Sequence, residues 1–257
     1  MTDVCYPAPV YGAGFYASNG ARLLFGGRSS FKGNKGAGGC AIALKNASAT
    51  FMKPTQIVDN EVIKYLDGSG AALNAETSSI VFNGPVTVAR NNNTRGAGGA
   101  CYLKHSNVTF NAAASVQNNS ASGWNGYEDG GNSGGGAICA VESRIVHNNL
   151  ALYQGNTAVY CSGGALQLQD GSSLVASKPV TFTGNAAMGP SAGSIQAPSY
   201  LGGAIYMTRS NVTLTGGASF ISNKASPEFK GYGGAICAVG NSTISISEAD
   251  VMTVGAA

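Results

Sequence analysis

The chain contains few charged residues and no long apolar run. Asp, Glu, Lys and Arg make up 11% of its 257 residues, against about a quarter in an ordinary globular protein. Its formal charge is +3 and its cations are scattered, so it lacks the basic stripe that nucleic acids require. No apolar run approaches the roughly 18 residues of a membrane-spanning helix. Nucleic acid is therefore not expected as a partner.

Metal ligands and catalytic pairs are scarce as well. The six cysteines, Cys5, Cys40, Cys101, Cys139, Cys161 and Cys237, form no CxxC or Cys/His spacing that suggests zinc. Their pairing cannot be deduced from spacing, and they serve either as small apolar core residues or in one or two disulfides. Neither histidine has a nearby Ser or Cys nucleophile whose pairing with it the periodicity supports. We expect no cofactor and no metal.

Glycine and short apolar stretches are abundant instead. The chain has 38 glycines, and 44% of its residues are hydrophobic, which excludes intrinsic disorder. Val, Ile, Leu and Phe recur in alternating stretches separated by Gly, Asn, Ser and Thr, as in Asn211–Thr215. This pattern is typical of many short strands joined by turns, so the sequence predicts an all-β protein.

Two tetrapeptides alternate along the chain. The GGA tetrapeptide, Gly-Gly-Ala followed by Ile or Leu, occurs at Gly135-Gly136-Ala137-Ile138, Gly163-Gly164-Ala165-Leu166, Gly202-Gly203-Ala204-Ile205 and Gly233-Gly234-Ala235-Ile236, with looser copies ending at Ile42, Leu73 and Cys101. The second tetrapeptide, Phe-x-x-Asn, joins Phe31 to Asn34, Phe182 to Asn185 and Phe220 to Asn223, with Ile57, Val88, Val116 and Tyr153 replacing Phe in four degenerate copies.

The distance between the two tetrapeptides is nearly constant. From the second glycine to the Phe position it is 17 or 18 residues, whereas the return interval varies from 8 to 21 residues. A fixed segment with variable connections indicates a solenoid with projecting loops. The sequence predicts a right-handed parallel β-helix, a single domain of about eight three-stranded coils over residues 12–254. Extending the spacing outward places a coil start at Gly14 and a coil end at Val251.

Stacked coils assign a role to each motif residue. Equivalent side chains lie about 4.8 Å apart in a column, so Phe31, Phe182 and Phe220 are predicted in the apolar interior. The asparagines should form a ladder of side-chain amides, and the glycine pairs should adopt corner conformations closed to other residues. Alignment of the coils also places His147 in the core. Six residues past each second glycine it places a polar column: Lys45, Glu76, His105, Glu142, Asp170 and Arg209.

The paired tetrapeptides resemble the defining repeats of the chlamydial polymorphic membrane proteins over residues 12–254. That resemblance implies an autotransporter passenger, displayed on or shed from a bacterial outer membrane, that binds a host-cell surface receptor as an adhesin. It also implies that the tetrapeptides at the positions above are linked to adhesion. The membrane contact would be made only through a barrel that this chain does not contain. We expect the chain to be a segment of a longer protein whose exposed coil ends can self-associate.

The tetrapeptides can support adhesion indirectly, by holding the coil together. Direct contacts are then predicted in two long loops, 120–133 with Trp124 and Tyr127, and 186–201 with Tyr200, because exposed aromatic residues are favoured binding anchors. The same aromatics can instead pack back over the coil. Two other functions stay open: a structural spacer stalk, and a carbohydrate-active β-helix enzyme. The latter is disfavoured, since the 12 carboxylates are dispersed. The chain is thus not expected to be an enzyme.

Overall fold

The computed structural model describes residues 14–36, 41–62, 70–94, 96–123, 134–189, 200–226, 231–247 and 254–255. These residues form eight coils of a right-handed parallel β-helix, which confirms the predicted fold class. All strand pairings between the described coils are parallel, as expected when each coil repeats the path of the one before. No described residue belongs to a helix that could cross a membrane.

Three long sheets run along the solenoid, and each takes one strand from every coil. Sheet A contains Phe15–Ser18, Ile42–Lys45, Leu73–Glu76, Cys101–Lys104, Ile138–Val141, Leu166–Gln169, Ile205–Thr208 and Ile236–Val239. Sheet B contains Arg22–Phe25, Ser48–Phe51, Ser79–Phe82, Asn107–Phe110, Arg144–His147, Ser173–Ala176, Asn211–Leu214 and Thr243–Ile246. Sheet C contains Ser29–Lys32, Thr55–Val58, Val86–Ala89, Ala114–Gln117, Ala151–Gln154, Val180–Thr183, Ala218–Ile221 and Val254–Gly255. We number the coils 1 to 8 in this order.

A fourth, shorter strand follows the asparagine in coils 1 to 7, so the predicted three-stranded coil was incomplete. This sheet D contains Lys35–Gly36, Glu61–Val62, Asn92–Asn93, Ser120–Ser122, Thr157–Val159, Ala186–Met188 and Lys224–Ala225. Its strands of two or three residues are too short to show a two-residue alternation in sequence. Tyr200–Leu201 and Gly231–Tyr232 add a small parallel pair beyond it.

The register differs from the predicted one at three places. Gly14 precedes Phe15, which pairs with Ile42, so Gly14 aligns with Ala41 and not with a motif glycine. Leu73 pairs with Cys101, which aligns Gly70 with the first glycine of later motifs and not the second. Coil 8 pairs Val254 with Phe220, three residues later than the predicted Val251, which lies outside the described residues, as does Gly39.

The core fills the interior between the three sheets and extends through all eight coils. Alternation along each strand sends every second side chain inward, and strands of sheet B show it most clearly, as in Asn107–Phe110 with the pattern exposed, buried, intermediate, buried. At the corner between sheets A and B, at least one residue per coil adopts a left-handed conformation. In coils 3 to 7 a buried serine follows it: Ser78, Ser106, Ser143, Ser172 and Ser210.

Candidate binding surfaces

The two glycines of the GGA tetrapeptide have different structural functions. The first adopts positive φ, 71° at Gly135 and 67° at Gly202, a conformation that glycine enters without steric cost. The second lies against backbone: a Cβ on Gly136 would overlap the carbonyl oxygen of Gly164 in the next coil and backbone atoms of Thr157 in its own coil. The tetrapeptide thus lets sheet A pass close to sheet D.

The remaining motif side chains of the GGA tetrapeptide point into the core. In coils 5 to 7 they are at most 1% exposed, at Ala137, Ile138, Ala165, Leu166, Ala204 and Ile205. In coil 8, Ala235 and Ile236 are partly buried and pack against the same core. The glycines of coils 5 to 7 are buried as well, whereas Gly233 and Gly234 are exposed.

The Phe position of the second tetrapeptide lies inside sheet C, as predicted. Phe31, Phe182 and Phe220 are buried, and the rings of Phe182 and Phe220 stack with centroids 5.1 Å apart. The degenerate residues Ile57, Val88, Val116 and Tyr153 occupy the same column. The prediction that this column is interior is therefore confirmed.

A second aromatic column, absent from the prediction, compensates for the missing phenylalanines. It is formed inside sheet B by Phe25, Phe51, Phe82, Phe110 and His147, whose adjacent rings stack with centroids 4.5 to 5.3 Å apart. Where sheet C carries a small Ile or Val, sheet B carries Phe. Where sheet C carries Phe182 or Phe220, sheet B carries Ala176 or Leu214. Each of these coils thus keeps at least one ring in its interior, as close packing requires.

His147 and Tyr153 both lie in coil 5, between the coils that carry Phe in sheet B and those that carry Phe in sheet C. The imidazole Nε2 lies 2.9 Å from the Tyr153 hydroxyl, and both side chains are fully buried. Burial lowers the pKa of His147 to about 3, because the charged form would lose its hydration. The predicted core position and the predicted direction of the pKa shift are confirmed. The partner is a tyrosine hydroxyl, where a backbone group or water had been expected.

The asparagines form the predicted ladder. In each step the backbone N–H and side-chain Nδ2 of one asparagine donate to Oδ1 of the asparagine in the next coil, at 2.8 to 3.1 Å, from Asn34 through to Asn223. Each Nδ2 except that of Asn34 also donates to a backbone carbonyl of the preceding coil, as Asn156 does to Val116. These bonds occupy the amides, so their polar groups are satisfied inside the scaffold.

A serine ladder at the opposite corner was not predicted. Backbone N–H groups donate to the serine hydroxyl one coil further on, as Ser78 does to Ser106 at 2.9 Å and Ser106 to Ser143 at 2.9 Å. Each hydroxyl donates in turn to a nearby carbonyl, as Ser106 Oγ does to Lys104. The signal in the sequence was a serine seven residues after the second glycine in three coils, at Ser106, Ser143 and Ser210, which is easily lost among the many surface serines.

The predicted loop contacts have different outcomes. Trp124 and Tyr127 lie outside the described residues. Tyr200 is 3% exposed, and burial raises the pKa of its hydroxyl, so it packs back onto the coil and is not an exposed anchor. Both predicted loops began too early, since Ser120–Ser122 and Ala186–Met188 are sheet D strands, and the second also ended on the strand Tyr200–Leu201.

The predicted polar column at the corner between sheets A and B is correct from His105 onward. His105, Glu142, Asp170 and Arg209 all have positive φ and align. His105 Nδ1 lies 3.2 Å from Glu142 Oε2, and Arg209 bonds Asp170. Lys45 and Glu76 lie one residue earlier and pair with each other at 3.4 Å. The neighbour of His105 on the other side is therefore Thr77, and not Glu76.

An open groove runs along the same corner over coils 1 to 4, and we call it the corner groove. Its lining combines the corner residues with the first outward residues of sheet B and small residues between them: Gly20, Ala21, Arg22, Asn46, Ala47, Ser48, Thr77, Ser78, Ser79, His105 and Asn107. Among the described residues, the lining contains no carboxylate, and its ionisable side chains are Arg22 and His105. Such a surface offers hydroxyl, amide and cationic groups to a polar ligand.

The cysteines among the described residues have thiols of low reactivity. Cys101, Cys139, Cys161 and Cys237 are free thiols, and the first three are buried. Burial raises the pKa of Cys101 and of Cys161 to about 12, so their thiols stay protonated at neutral pH. This agrees with the interpretation as small core residues; Cys5 and Cys40 lie outside the described part. No group of three or more metal-ligating side chains occurs among the described residues.

The fold and its ladders define a class: a solenoid scaffold whose repeated tetrapeptides build the interior and the turns. The model of the Chlamydia polymorphic membrane protein repeat matches residues 179–208 and 212–239. The predicted likeness to that family is confirmed at these two repeats, which span the end of coil 6, coil 7 and the start of coil 8. Among curated proteins and solved structures, none matches the chain. A β-helix with these repeats fits an autotransporter passenger.

Proposed function

We propose that the chain is a surface-displayed segment of a bacterial adhesin, which binds a host-cell receptor protein through the outward features of the solenoid. The observation that carries this proposal is the burial of the tetrapeptides: their side chains build the core, the sheet A corner and the asparagine ladder. A receptor cannot reach them in coils 5 to 7. Their link to adhesion in the family is therefore indirect, through the scaffold that presents the binding surface.

The polar groups of the scaffold also support a binding function over catalysis. The described carboxylates other than Glu142 lie in solvent-accessible ion pairs with Lys or Arg of adjacent coils, as in Lys35 with Glu61 at 2.9 Å and Asp59 with Arg90 at 2.6 Å. The Arg90 guanidinium, hydrogen-bonded to Asp59, holds the pKa of that carboxyl below its usual value. A glycosidase needs two carboxylates facing one bond with separated pKa values. Paired, exposed carboxylates instead suit a surface that avoids repulsion between its coils.

The test is host-cell binding by the purified chain with each connection shortened in turn. The deletions should fall within residues 124–133 and 190–199, so that the strands Ser120–Ser122, Ala186–Met188 and Tyr200–Leu201 stay intact. Shortening residues 63–69 is the matched control. We expect one of the first two deletions, or Trp124→Ala, to reduce binding while the thermal midpoint changes little. Absence of binding by the undeleted chain would favour the spacer stalk.

A further inference from the structure

We propose that the corner groove binds an acidic oligosaccharide, a chain of sugars that carry carboxylates, laid along the axis of the solenoid. This adds a carbohydrate site to the proposed receptor contact and does not depend on it. The groove repeats its lining once per coil, with Gly20 and Arg22, Asn46 and Ser48, Thr77 and Ser79, and His105 and Asn107 on successive coils.

The repeat distance favours a polymer of sugars. Successive coils are separated by about 4.8 Å, and a sugar in an extended oligosaccharide advances by nearly the same distance. Each sugar of a short chain would therefore face one coil and meet the same kind of polar pair. A peptide fits less well, because it would add to a free strand edge, whereas every described strand along this groove is paired on both sides from coil 2 to coil 4.

The polar side chains of the groove are available to a ligand. Among the described residues, Asn46, Ser48, Thr77, Ser79 and Asn107 make no side-chain hydrogen bond, and Arg22 makes no ion pair. The adjacent serines of the ladder show the contrast, because Ser78 and Ser106 are buried and fully used. Hydroxyl and amide groups without a hydrogen-bond partner, arranged along one line, can bond the hydroxyls of sugars. The two parallel N–H donors of an arginine guanidinium match the two oxygens of a carboxylate.

Thr77 gives a further indication. It adopts φ of 50° although it is β-branched, and the equivalent residues of other coils include Asn46, Asp170 and Gly240. A β-branched residue with positive φ is a genuine outlier and costs stability. Its side chain is exposed, so side-chain packing does not offset this loss of stability. A hydroxyl that contacts a ligand at this position would account for its presence.

Binding should be measured by titration calorimetry at physiological ionic strength with three probes: tetragalacturonate, a sialic acid tetramer, and the neutral maltotetraose. We expect at least one acidic probe to bind and the neutral probe to bind at least tenfold more weakly. Arg22→Ala should weaken binding of the acidic probe by about tenfold or more, as expected for loss of a charge-assisted hydrogen bond. Arg144→Ala is the matched control, in the same outward row of sheet B but outside the groove, and should change affinity less than about twofold by the same comparison.

Thr77→Gly separates a ligand contact from a structural effect. Glycine relieves the backbone conformation, so the thermal midpoint should stay or rise, while affinity for the acidic probe falls about threefold with loss of one neutral hydrogen bond. The proposal is overturned by absence of binding to both acidic probes at millimolar concentration, by equal binding of the neutral probe, or by equal effects of Arg22→Ala and Arg144→Ala. Failure of host-cell binding alone would overturn the proposed adhesin function and leave this site standing.

Discussion

At the scale of single residues, the pair His147 and Tyr153 makes a pH-dependent contribution to stability. His147 stays neutral in the folded chain because its pKa is lowered to about 3, while the unfolded chain binds a proton below about pH 6.5. The unfolded state therefore holds more protons between pH 6.5 and 3. Stability from this residue is fully present above pH 6.5 and falls as the pH decreases, at up to about 1.4 kcal/mol per pH unit.

The measurement is the urea midpoint at pH 7 and pH 5. The double variant His147→Phe with Tyr153→Phe continues the aromatic columns and removes both hydrogen-bonding partners, so neither is left unpaired. It should show a smaller loss between the two pH values than the natural chain does. An identical loss in both would mean that His147 is not the titrating group.

The glycines provide a second prediction at this scale. Replacing a glycine that only has positive φ should cost less stability than replacing one that packs closely against other backbone. Gly184 has φ of 62° and open space at its Cβ, and aligned coils carry Asp59, Arg90 and Asn118 there. Gly184→Ala should therefore cost only about 1–2 kcal/mol, the usual penalty of the left-handed conformation. Gly136→Ala places a Cβ inside backbone of two other segments and should prevent stable folding of the central coils, measured by circular dichroism and thermal melting. Equal melting of the two variants would contradict the assignment of the second glycine to close packing.

At the scale of elements, the two aromatic columns act as one packing unit. Phe182→Ala should destabilise the chain by about 3–5 kcal/mol, since it leaves a cavity in a full core. Ala176→Phe alone should overpack the adjacent column and cost about 1–3 kcal/mol. Together the two substitutions move the ring from sheet C to sheet B, the arrangement of Phe110 and Val116 in coil 4. The double variant should be more stable than the sum of the single effects predicts, by about 0.5–3 kcal/mol, and strict additivity in urea unfolding would exclude compensation.

The same columns show which structural features could be predicted from the sequence. The tetrapeptides were visible because glycine pairs and asparagines have few substitutes at their positions, so they recur at a constant spacing. Phe51 and Phe82 were not assigned to a column because neither tetrapeptide includes their strand. Sheet D was missed since its strands are too short to alternate, and Gly70 was misaligned because Ala71 stands where later coils have the second glycine.

The candidate surface was less predictable than the scaffold, because it depends on side chains that carry no repeat. Arg22 of coil 1 and His105 of coil 4 line the same corner groove, although they are 83 positions apart in sequence. That they share one groove follows only from the register of four coils, and a one-residue error there placed Glu76 beside His105. Tyr200 was expected on an exposed loop because it lies in the long variable connection before Gly202, yet it pairs with Gly231.

At the scale of the whole molecule, a solenoid has interfaces only between neighbouring coils, so its outermost coil lacks a partner within the described residues. In coil 8, Ile244 is 38% exposed, although its equivalent residue in coil 7, Val212, is fully buried. An open coil end presents unpaired backbone groups together with apolar surface. We therefore expect the isolated 257-residue chain to self-associate as its concentration rises.

Sedimentation velocity over a range of concentrations measures this association, and two lysine substitutions locate it. Ile244→Lys places a charge on the surface where a further coil would stack and should shift the chain toward the monomer. Ser245→Lys is the matched control, because its side chain lies on the outer face of sheet B, in register with Thr213. It should leave association unchanged, since a solvated charge on that face does not oppose stacking. A natural chain that stays monomeric at all concentrations, or equal effects of the two lysines, would show that the coil end is not the contact.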